Sequence, residues 1–160
     1  MAFLQKLFGK RDPLEEKADN LVAFCRIMAT QMFIPVIEKF KFLERCKPEE
    51  WDLFATIASV HVALNRLNGE VAAERFKTLY PIIAEHVRKL DSQGEAALVD
   101  CQKFVMRSYE KDNADHNIAT LGLWVLWNVL RRQPTREEMN AAPGIGRILA
   151  EPFLGWWESK

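Results

Sequence analysis

Chemistry in this 160-residue chain has few places to start. The histidines, His61, His86 and His116, change charge near neutral pH and readily ligate metals. A di-metal bundle needs Glu-x-x-His pairs on facing helices. Ala58, Ile83 and Asn113 stand three residues before these histidines, so that site is not encoded. Asp112 and His116 are spaced i, i+4 with Asp115 beside them, and on a helix they would converge on one ion. Together with Asn113 the two carboxylates also fit the cap of a helix, where negative charge meets the positive dipole end, and this is the reading carried forward. His61 shares a stripe with Phe54, Ala58 and Asn65. His61 and Asn65 are the polar pair that a pocket between helices would use to orient a small ligand, or else a hydrogen-bonded pair within the core. Nucleophile elbow, Walker loop, dinucleotide fingerprint and H-E-x-x-H are all missing. No catalytic residue, cofactor or metal is expected on this basis.

A different pattern occupies Thr135 to Ala150: Thr-Arg-Glu-Glu-Met-Asn-Ala-Ala-Pro-Gly-Ile-Gly-Arg-Ile-Leu-Ala. It resembles the helix-hairpin-helix motif of DNA-binding and DNA-repair proteins, in which two short helices flank a Pro-Gly-Ile-Gly-type hairpin. The resemblance implies that Gly144, Ile145, Gly146 and Arg147 hold a phosphate through free amides at a helix start. It covers about a tenth of the chain. Ala142 stands where the motif has a large apolar residue, and Pro152 is expected to cut the second helix short after about one turn. From Arg131 onward five basic side chains face four acidic ones, whereas a DNA grip uses several uncompensated cations. A Pro-Gly turn joining two short helices accounts for the same residues.

The elements that must position these groups are helical. Leu21, Phe24, Cys25, Met28 and Met32 share one face of a helix predicted over Leu14 to Arg45, started by Asp12-Pro13. Pro35 predicts a kink or break near Ile34. A second helix is predicted from Pro48 to Asn68-Gly69, with Gly69 as a left-handed cap. It carries Leu53, Ile57, Val60, Leu64 and Leu67 on one stripe and Trp51, Phe54, Ala58, His61 and Asn65 on another, the pattern of a central helix. Further helices are predicted over Glu70 to Leu90, bent or split at Pro81, over Glu95 to Glu110, and over Asp115 to Arg132, the last being the most apolar. Thr135-Arg-Glu-Glu138 is a capping box opening a short helix to Ala142.

Composition bounds the rest. Seven glycines and seven prolines are too few turn-formers for an all-β barrel or sandwich. The 22 basic and 22 acidic residues balance, so no global field steers the chain to nucleic acid or an anionic membrane. Cys25, Cys46 and Cys101 are odd in number and far apart, which fits a reducing interior. The N-terminus lacks the apolar run of a signal peptide. Ile118 to Leu130, taken as the most apolar window, is shorter than the ~20 residues that cross a bilayer. These features predict a cytoplasmic protein.

The chain ends carry aromatic residues suited to contact. Phe3, Leu4, Leu7 and Phe8 form a short amphipathic piece with Lys6, Lys10 and Arg11, and Phe153, Trp156 and Trp157 form a tail. Such side chains dock on their own domain or anchor a partner. The N-terminal piece is too short for a typical membrane-surface anchor, and packing on the bundle or on a second subunit is the expectation.

The sequence thus predicts one all-α domain over residues 1–160, a compact bundle of about five or six helices with mostly antiparallel neighbours. Residues 1–12 form its amphipathic N-terminal piece, and residues 133–160 hold short helices and the aromatic tail. Its expected role is protein–protein interaction or adaptor work without catalysis, including self-association as a homodimer. A DNA-associated module using Gly144 to Arg147 and a small-ligand bundle using His61 and Asn65 are the alternatives.

Overall fold

Helix α1, Pro13–Lys39, opens on Asp12, whose carboxylate accepts from the Leu14 amide at 2.9 Å. That cap contributes about 1 kcal/mol, and proline at the first helical position loses no needed donor. The computed structural model of the protein describes Gly9 and residues 12–158, with 152–158 as backbone only. Among these residues the structure is all-α. After α1 come a 3-10 turn, Lys41–Arg45, and helices α2, Pro48–Glu70, and α3, Ala73–Leu90. Helices α4, Gly94–Arg107, α5, Ala114–Leu130, α6, Arg136–Met139, and α7, Ala142–Glu158, complete the fold.

The centre of the bundle is α2, which packs against every other long helix. Most of both stripes is buried: Ile57, Val60, Leu64 and Leu67 on one, Trp51, Ala58 and His61 on the other, while Leu53 and Phe54 are half-buried and Asn65 is exposed. Trp51 is fully buried, and its indole N–H donates to the Ala29 carbonyl of α1 at 2.8 Å. Trp124 on α5 donates to the Asp100 carboxylate on α4 at 2.9 Å, and Phe54 meets its ring edge-on. In each case burial of a large apolar ring is combined with satisfaction of its one polar atom.

Several local expectations need correction. Helix α1 runs unbroken through Pro35 and stops at Phe40, so the first helix ends there and the 3-10 turn follows. Pro35 costs the helix one donor, but Gln31, whose carbonyl loses its partner, is exposed, and water can satisfy it. Pro81 is likewise accommodated inside α3. Gly69 lies within α2 and has no positive φ; the left-handed positions are Asp112 and Arg131, which close the turns on either side of α5. The capping box at Thr135 and Glu138 is present, but the helix it opens is only Arg136–Met139.

The Pro143–Gly146 segment, expected as a turn, is the start of α7, which runs on through Pro152 to Glu158 instead of stopping after one turn. Its glycines serve packing. A Cβ on Gly146 would overlap the Ile118 carbonyl, and one on Gly122 would overlap the Ala142 carbonyl. Helices α5 and α7 therefore cross with their backbones nearly touching.

Candidate functional site

Two features of the described residues stand out as places where the protein could meet something else. The first is the outer face of α1. Its inner face is tied down by Leu21, Val22, Cys25, Ala29 and Val36, all buried. Its outer face carries Ala23, Thr30 and two large apolar side chains, Ile27 at 56% exposure and Ile34 at 62%. Between Asp19 and Glu38 the helix has a single charge, Arg26. Its most apolar stretch reaches a mean hydropathy of 1.5, yet only 28% of that stretch is buried. Among the described residues, α1 is by length and composition the helix that could cross a membrane, which the expectation built on Ile118 to Leu130 passed over. The missed signal was the charge-poor run from Asn20 to Ile37.

Beside this face lies a groove of about 670 Å³ between α1 and α3, lined by Val22, Ile27, Arg26, His86, Lys89 and Leu90. His86 reaches Asp19 across it at 3.0 Å, joining the two helices. The groove continues past Arg26 and Leu90 toward Asp52 and Asp91 at the end of the bundle.

The second feature is a cavity of about 220 Å³ between α2, α4, α5 and α7. His61 and Asn65, expected as a polar pair, both line it, and the Asn65 amide lies 3.1 Å from His61 Nε2. His61 is 3% exposed, and burial lowers its pKa from 6.5 to about 4, so the ring is neutral at pH 7. Asn65 and Tyr109 sit at the exposed mouth, while Val105, Leu121 and Ala150 are buried.

The Asp112, Asp115 and His116 set lies around the start of α5, next in sequence to Ala114 and Asn117, which line the cavity. Asp112 has φ 60 in the loop before α5, so it is not one helical turn from His116 and the three do not converge. Asn113 is the cap, accepting from the His116 amide at 3.2 Å. His116 Nε2 lies 2.6 Å from the Ser108 carbonyl, and Asp115 faces Arg147 at 3.9 Å. Asn117 holds Glu110 through both backbone groups, at 3.1 and 2.9 Å. The first turn of α5 thereby pins the loop that carries Tyr109. Among the described residues, no three His, Cys, Asp or Glu side chains gather as a metal site.

The remaining sequence-derived candidates are dispersed. Ile145 is fully buried, Gly144 lies against the Phe40 ring, and Gly146 lies against α5. Arg147 is exposed between Asp115 and Glu151. Phe3 and Phe8, and the side chains of Phe153, Trp156 and Trp157, fall outside the described residues. Burial raises the pKa of all three thiols; Cys25 and Cys101 are wholly enclosed, so neither is a nucleophile at neutral pH.

No family model, no curated protein and no solved structure matches the chain.

Proposed function

We propose that this protein is a helical interaction module that acts by noncovalent docking, and that the outer face of α1 is its docking surface, engaged by a second copy of the same chain. The observation that carries this reading is the exposure of Ile27 and Ile34, one above the other on a helix whose outer face is almost without charge. Exposed apolar surface of this kind, bordered by polar groups, marks places where proteins associate.

Three arguments favour a second copy. The face is self-complementary: an antiparallel pair of α1 helices, with its two-fold beside Thr30 and Gln31, sets Ile27 of each copy next to Ile34 of the other. Such an isologous contact closes on itself and covers both exposed isoleucines of α1. In the same register Arg26 of each copy lies opposite Pro35 of the other, so no like charges are brought together on this face. Finally, a net charge of zero imposes no long-range repulsion between copies.

A bilayer suits this face less well. Inserting α1 would tear Cys25, Ala29 and Val36 from the core and strand the Trp51 indole that donates to Ala29. Sedimentation equilibrium over a range of protein concentrations tests the proposal. A concentration-dependent dimer supports it, and a monomer throughout removes it.

A further inference from the structure

The groove between α1 and α3 combines an apolar wall with charge of one sign. We infer that it binds a medium-chain fatty carboxylate, with the hydrocarbon against Val22, Ala23, Ile27 and Leu90 and the head group on Arg26 and Lys89. Dimensions set the size class. The groove volume, about 670 Å³, is in the range of small-molecule sites. Its α1 wall runs from Val22 to Gln31, about 14 Å at the helical rise, close to the length of an extended chain of about ten carbons.

Charge sets the head group. Among the described residues the ionisable side chains lining the groove are Arg26, His86 and Lys89, and no Asp or Glu lines it. His86 is held by Asp19 at 3.0 Å. Lys89 has a loose contact with Glu85, 3.8 Å between two exposed side chains. Arg26 has no carboxylate within ion-pair distance among the described residues. Two cations from facing helices therefore border apolar surface with little to neutralise them, the complement of an anionic head on an alkyl chain. Glu49, Asp52 and Asp91 stand past Arg26 in a smaller recess, where Asp52 accepts from the Thr30 hydroxyl at 3.2 Å. They repel an anion and confine the head group to the Arg26–Lys89 side. Ile27 is shared with the α1 face, whereas His86, Lys89 and Leu90 belong to α3 and take no part in the pairing proposed above.

Titration of the full chain with octanoate, octanol and octyltrimethylammonium, each kept below its micellar concentration and followed by proton–nitrogen correlation spectra, tests this. Octanoate should saturate one site, with shifts centred on residues 22–31 and 86–90. Octanol should bind there about fivefold more weakly, the upper worth of an exposed ion pair, and the ammonium probe should not saturate. R26E and K89E, at exposed positions, should keep the fold. Each should lower octanoate affinity at least fivefold and leave octanol within about twofold. Ile34 lies outside the groove lining and reports the pairing of α1, so the two proposals fail at different residues. Absence of saturation by octanoate, shifts centred elsewhere, equal affinity for octanoate and octanol, saturation by the ammonium probe, or octanoate binding untouched by both variants would overturn the inference.

Discussion

Gly122 on α5 and Gly146 on α7 are each seated against the backbone of the opposite helix, Gly122 beneath the Ala142 carbonyl and Gly146 beneath the Ile118 carbonyl. The neighbour in each case is main chain, which cannot rotate away as a flexible side chain can. The approach of the two helices is therefore set by the absence of two methyl groups.

Alanine at either position is expected to destabilise the protein by about 3 kcal/mol, the upper range for overpacking. Helix propensity alone predicts the opposite sign, since alanine is favoured over glycine inside a helix. Gly69 supplies the comparison: nothing lies within 4 Å of a Cβ placed there. G69A should stabilise by about 0.5 kcal/mol, the fraction of the propensity gain left near a helix end. Urea unfolding of the three variants measures this, and equal effects at all three positions would contradict the packing account.

The buried His61 predicts how stability depends on acid. Its folded pKa is about 4, against 6.5 when free. Between these values the unfolded chain holds a proton that the folded chain does not, so acidification favours unfolding. This contribution is complete above pH 6.5, declines as pH falls toward 4, and amounts to about 3 kcal/mol. Chemical denaturation of wild type and H61F across that window should show a slope that the variant lacks. Parallel profiles would place the titration elsewhere.

Pro35 is a cost that the fold tolerates. It sits exposed in the interior of α1, whereas Ala29, whose carbonyl accepts from the Trp51 indole, is buried. P35A restores the amide donor to the Gln31 carbonyl and should stabilise by about 1–2 kcal/mol, less than the full helical penalty because alanine also loosens the unfolded chain. Thermal unfolding checks the sign.

The same three sites show why some of the structure could be read from sequence and some could not. Two apolar stripes on α2 identified the central helix correctly, because burial on two faces leaves a periodic trace along a single segment. The i, i+4 spacing of His61 and Asn65 likewise placed both groups on one face, and they are paired there. Val105, Tyr109, Ile118 and Ala150 complete the cavity from three other helices and a loop, and no local pattern joins them. At Pro35 the break and at Gly146 the turn that sequence allowed are both replaced by continuous helix, and for the same reason. Each is a local breaker whose outcome is decided by what lies across from it: solvent at Gln31, and the backbone of α5 at Ile118. On α1 the sequence reading followed one apolar face, Leu21 to Met32, and passed over Ile27 and Ile34, which face outward.

If α1 pairs with itself, its exposed isoleucines should carry most of the association while contributing little to the fold. Both are more than half exposed, so I27D and I34D should keep the helical circular dichroism of wild type and change stability by less than about 1 kcal/mol. Placing a carboxylate opposite an apolar side chain in a closed interface should weaken the dimer at least tenfold, by the penalty for burying an unpaired charge.

Sedimentation equilibrium of the wild-type chain beside I27D and I34D tests the central claim most directly. The account predicts a reversible dimer for wild type and a folded monomer for each variant at the same concentrations. A wild-type chain that stays monomeric throughout, or a dimer that survives both substitutions unchanged, would contradict it.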